Sequence, residues 1–86
     1  MRADDDQSAS MTDEQRMAWL EAQAEEAYDK MYDTTRSSDA AARYSDAKEA
    51  MRDAIGLARR LGQSAVAARL EARLAYIKAV FRSQFC

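Results

Sequence analysis

Apolar residues recur three and four positions apart in three stretches of this chain. Met17, Leu20, Ala24, Ala27 and Met31 form the first. Tyr44, Ala47, Met51, Ala54, Ala58 and Leu61 form the second, and Val66, Leu70, Leu74, Ile77, Phe81 and Phe85 the third. This spacing puts each set on one side of an α-helix, and a helix with one apolar side must bury it against a neighbour.

Start and stop signals bound the three helices. Thr12-Asp13-Glu14-Gln15 has the form of a capping box, with acidic residues in the first turn to complement the helix dipole, so the first helix is predicted over about 12–33. Thr34, Thr35, Ser37 and Ser38 form a polar break; Ser37 or Ser38 can cap a second helix over about 38–61, with Asp39 in its first turn. Gly62 is placed to adopt the left-handed conformation that ends this helix, after Arg59 and Arg60 in its last turn. Ser64 can cap the third helix, over about 64–85. Short connections make neighbouring helices antiparallel. The expected fold is all-α: an antiparallel up-down-up three-helix bundle over 12–86. Before it lies a disordered acidic tail, residues 1–11, that contains Asp4, Asp5 and Asp6. The same order gathers Tyr28, Tyr32, Tyr44, Phe81 and Phe85 at one pole, as core whose tyrosine hydroxyls reach water. It puts Met17, Leu20, Leu61, Val66 and Leu70 at the other.

Composition sharpens this picture. A chain of 86 residues makes one small domain, burying roughly 60–65% of its unfolded surface. Much of its apolar content is alanine, which favours helix and lets helix axes approach, yet contributes little burial. There is no proline, and the glycines are Gly56 and Gly62. The net charge of −2 hides an asymmetry: residues 1–42 hold four basic and eleven acidic residues, residues 43–86 nine basic and four acidic. No favourable i,i+4 pair is read on the first helix, so its carboxylates need a counterpart elsewhere, most simply the basic helices of the same chain.

Candidate chemistry is sparse. The chain has no histidine, hence neither the usual neutral-pH base nor the commonest metal ligand. Cys86 has no histidine partner to activate it. Glu21, Glu25, Glu26 and Asp29 share one helix without the Glu-x-x-His pairs of a di-metal bundle, and no glycine-rich phosphate loop occurs. Asp4–Asp6 read as solvated tail rather than a cation site. These features argue for a non-catalytic protein without cofactor or metal. A single terminal cysteine suits a reducing compartment. Residues 1–16 lack the apolar core of a secretory signal, and no run reaches the roughly 20 apolar residues of a membrane span. Cys86 lacks the three following residues of a prenylation box. The expected location is cytoplasmic.

Two features exceed what a simple bundle requires. Trp19 points nearly opposite the Met17/Leu20/Met31 stripe, among Gln15, Glu26 and Lys30: a contact for another chain, or a ring folded onto the capping turn or tail. Ala65, Ala68, Ala72, Ala75 and Ala79, bordered by Tyr76, lie opposite the Leu70/Leu74/Ile77/Phe81 stripe. The third helix is thus apolar on two sides. Either it is the central helix, or its alanine face meets a second molecule, or the alanines serve only helix propensity.

Tyr44-x-x-Ala47 followed by Ala54-Ile55 resembles the second helix of a tetratricopeptide-type repeat. The Leu57-Ala58-Arg59-Arg60-Leu61-Gly62 turn, with the alanine-rich helix after it, is similar to the step into the next repeat. The preceding helix departs from that family in lacking its Trp-Leu-Gly-Tyr pattern, and a solenoid normally needs three repeats. In size and layout the chain is also similar to a three-helix module of the microtubule-interacting-and-transport type. Both resemblances imply binding of peptides or helices in helical grooves. The reading that follows is a small protein–protein interaction module, adaptor or chaperone-like, forming a homodimer through the third helix. The alternative is nucleic-acid binding through Arg59, Arg60, Arg69, Arg73, Lys78 and Arg82. These form no single stripe, have no interleaved aromatics, and share the chain with an acidic half that repels phosphate.

Overall fold

The computed structural model describes residues 11–33 and 37–85. Residues 1–10 of the predicted 1–11 tail, Thr34 and Thr35 of the predicted break, the side chains of Ser37 and Phe85, and Cys86 lie outside the described residues. Three helices follow one another: α1 (Asp13–Asp33), α2 (Ser37–Arg60) and α3 (Ser64–Phe85).

Local chemistry sets their ends. At the start of α1 the Thr12 backbone N–H donates to Gln15 Oε1 at 3.0 Å, and the Gln15 N–H donates to Thr12 Oγ1 at 3.1 Å. Both sides of the capping box are therefore made. At the end of α2 the Gln63 N–H reaches the Ala58 carbonyl at 2.9 Å and the Gly62 N–H reaches Arg59 at 3.1 Å, the paired bonds of a Schellman turn. Gly62 adopts φ 73°, as this turn requires. The cap expected at Ser64 moves back by one residue. The Gln63 carbonyl accepts the first bond of α3, from the Ala67 N–H at 3.0 Å. Because the Gln63 N–H closes α2 while its carbonyl opens α3, the connection has no spare residue.

The central helix is α2, which packs against both α1 and α3. The sequence pattern offered that place to the third helix. The second stripe is wider than its spacing suggested: Ala47, Met51, Ala54 and Ala58 are fully buried as predicted, and Ala40, Ile55 and Leu57 are buried beside them. A helix buried over so wide an arc needs a neighbour on each side. Ala24, Ala40, Ala47, Ala54 and Ala58 let the axes close up, while Met31, Met51, Leu70 and Ile77 supply the largest fully buried side chains. Each of those four contributes about 1.5–3 kcal/mol by burial.

Up-down-up order makes α1 and α3 parallel, and the contacts between them have that register. Glu21 meets Arg69 and Glu25 meets Arg73, each pair 48 residues apart, and Tyr28 lies beside Tyr76 at the same offset. The all-α three-helix fold read from the sequence is the fold observed. The aromatic pole is split, however. Tyr44 stacks on Phe81, centroids 4.0 Å apart and planes 5° from parallel, on the α2–α3 side. Tyr28, Tyr32 and Tyr76 form a separate edge-to-face group on the α1–α3 side. At the opposite pole Leu70 is fully buried, with Met17, Leu20 and Val66 partly buried against the core.

Candidate functional site

Every sequence-selected residue of α3's second face is exposed: Ala65, Ala68, Ala72, Ala75, Tyr76 and Ala79. The helix turns Ala67, Leu70, Leu74 and Ile77 inward, and the alanine stripe is left facing away from the bundle. Tyr76 is 52% exposed within it, an aromatic edge beside small side chains.

The charges beside this stripe are engaged within the chain. Arg69 donates from Nη1 and Nη2 to the two carboxylate oxygens of Glu21, at 2.7 and 3.1 Å. Glu71 accepts from Arg59. Arg69 and Glu71, which flank the stripe, thus hold α3 onto α1 and α2. The Arg69 guanidinium beside Glu21 holds that carboxyl below its ordinary value, chiefly by hydrogen bonding, and Arg69 is raised in return.

A tighter arrangement sits one turn further on. Arg73 donates from Nε and Nη2 to both oxygens of Glu25, at 2.8 and 2.7 Å. Its guanidinium carbon lies 5.0 Å from the Tyr28 ring centre and 5.1 Å from that of Tyr76. Tyr28 is buried, and its hydroxyl donates to the Tyr32 hydroxyl at 3.5 Å. Burial, followed by these phenol contacts, pushes the Tyr28 phenol well above its ordinary value. The cluster was missed as such, although Glu21/Glu25 and Arg69/Arg73 carry a matching four-residue spacing on helices that must run parallel. The sequence reading also overlooked a pair within α1: Lys30 meets Glu26 at 3.0 Å, in the favourable i,i+4 order.

Trp19 is 48% exposed on α1. It lines an open groove of about 300 Å³ between α1 and α2, with Leu20, Ala27 and Ala50 among its apolar residues and Glu26, Asp46, Glu49 and Asp53 among its carboxylates. Sequence reasoning found the ring and its neighbours Glu26 and Lys30. It did not find the α2 wall, which depends on how the two helices are rotated against each other.

Among the described residues no group of three or more His, Cys, Asp or Glu side chains is placed to hold a metal ion. No described helix is long and apolar enough to cross a membrane. Comparison with known proteins returns no family model, no curated protein and no solved structure that matches this chain.

Proposed function

We propose that this chain is a small, non-catalytic, cytoplasmic interaction module, an adaptor or chaperone-like subunit, that self-associates through α3. The observation that carries this reading is the exposure of α3's second apolar face on a helix whose first face already fills the core. The order of residues on that face supports a second copy as its partner. Ala68 and Tyr76 lie four residues either side of Ala72, and Ala65 and Ala79 lie seven either side. In an antiparallel pair with its two-fold axis at Ala72, each Tyr76 ring meets the Ala68 of the other copy, large against small. Alanine buries little area, so association is in the micromolar range, near −8 kcal/mol at about 1 μM. The resemblance to tetratricopeptide and microtubule-interacting-and-transport modules agrees with a binding role.

Sedimentation velocity at high micromolar concentration tests the proposal. Wild type sediments as a dimer, and Ala72→Glu as a helical monomer. A monomeric wild type removes self-association. The nucleic-acid alternative gains nothing from the arrangement of charges, since Arg59, Arg69 and Arg73 each face a carboxylate of the same chain. Retention on nucleic acid that falls steeply with salt would reverse that preference.

A further inference from the structure

The groove between α1 and α2 belongs to a different face from the α3 stripe. We propose that it docks a lysine- or arginine-bearing amphipathic helix of a partner protein, deepening the reading of the chain as an interaction module. Three properties of the groove select this occupant. Its floor, Leu20, Ala27 and Ala50, includes two alanines, which leave room for inserted apolar side chains. Its rim is acidic: Lys30 is satisfied by Glu26 at 3.0 Å, which leaves three carboxylates, Asp46, Glu49 and Asp53, against one cation, Arg43, among the lining residues. Trp19, half exposed at the rim, offers an aromatic face to a cation held by those carboxylates. An apolar floor with an acidic rim complements a helix that is apolar on one side and basic on its flanks.

The groove also limits the length of the basic segment. Beyond Leu20 and Asp53 it continues into a stretch lined by Arg52 and Arg60, which repels further cations. From Trp19 to Lys30 is about 16 Å of helix, or three turns. The basic part of the partner is confined to that span.

Trp19 is the one tryptophan of the chain and so reports on the site directly. The full-length protein is titrated with a three- to four-turn amphipathic peptide of leucine, alanine and lysine that contains no aromatic residue. A second titration uses the same peptide with glutamate in place of lysine. The lysine peptide shifts Trp19 emission to the blue in a saturable manner, and the glutamate peptide does not. Glu49→Lys lowers affinity by roughly tenfold or more, and Asp46→Lys does likewise. Asp29→Lys, the same change in charge on α1 outside the groove, leaves affinity within about twofold of wild type. Circular dichroism confirms that each variant is folded. Equal binding of both peptides, no change in Trp19 emission, or equal losses for Glu49→Lys and Asp29→Lys would each overturn the proposal. A blue shift on a protein that sediments as a monomer retains the groove and removes the α3 dimer. A dimer without the shift removes the groove alone.

Discussion

Arg73 on α3 donates two hydrogen bonds to Glu25 on α1, from Nε at 2.8 Å and Nη2 at 2.7 Å. The same guanidinium lies near the Tyr28 and Tyr76 rings. α1 and α3 are held side by side largely through such long side chains, because the apolar packing of both is directed at α2. Both partners are about one-third exposed, so solvent weakens the pair, while its bidentate geometry and the flanking rings strengthen it.

A double-mutant cycle on Glu25 and Arg73 should therefore give a coupling of about 1 kcal/mol, the upper end for exposed pairs. The cycle on Glu26 and Lys30, a more exposed i,i+4 pair, should give about 0.3–0.5 kcal/mol. Arg73→Lys should lose most of the coupling, since an ammonium cannot make the fork. Urea denaturation of the single and double variants measures each value. Equal coupling in the two cycles would show that the rings and the bidentate geometry contribute nothing.

The Glu21–Arg69 pair makes stability depend on acid. Glu21 is held below its ordinary value of 4.5, first by its hydrogen bonds to Arg69. A carboxylate depressed in the folded state stabilises above its unfolded value, and that contribution disappears as pH falls through the folded value. The melting temperature of wild type should fall from pH 5.5 downward more steeply than that of Glu21→Gln, with the two curves converging at the acid end. Parallel curves over about pH 3–6 would exclude Glu21 as a contributor.

Tyr28 gives the opposite limit. Its phenol is raised above the ordinary value of 10 by burial and by the neighbouring phenols. The folded state holds the proton after the unfolded chain has released it, so stability is kept below pH 10 and lost above it. Phenolate absorbance should include a component that ionises well above pH 10, together with unfolding. Tyr28→Phe should remove that late component. A titration above pH 10 that is unchanged by Tyr28→Phe would contradict the burial of Tyr28.

The two glycines should respond in opposite directions to alanine. Gly56 is exposed inside α2, and a Cβ there meets nothing within 4 Å. Gly56→Ala should stabilise by about 0.5–1 kcal/mol, raising the melting temperature by roughly 4–8 °C per kcal/mol. Gly62 has open space too, but its φ of +73° opposes a side chain. Gly62→Ala should destabilise by about 1 kcal/mol or more. Differential scanning calorimetry decides both; a gain at Gly62 would mean the turn relaxes to another conformation.

The helices and their ends were legible because their causes are local. Thr12 and Gln15 are three residues apart, and Gly62 acts on carbonyls within four residues of itself. The charge asymmetry of the two halves likewise foretold that α1 meets a basic partner in its own chain, as Glu21–Arg69 and Glu25–Arg73 do. The place of Ser64 was misjudged by one residue. Its cap depends on how the preceding Schellman turn uses Gln63, and side-chain preference alone does not encode that.

The sequence by itself determined three amphipathic helices, their order and their alternating direction, since periodicity, caps and short connections are all properties of neighbouring residues. It also determined which residues of α3 form its two apolar faces. Tertiary structure decided which helix is central. That choice depends on the rotation of each helix about its own axis, and alanine-rich stripes specify rotation weakly because a methyl group costs little when moved from one neighbour to another. The same rotations placed Arg73 of α3 over the Tyr28 ring of α1 and brought Asp46, Glu49 and Asp53 of α2 across from Trp19 of α1. Residues so far apart in the chain share a groove only through the packing of the whole.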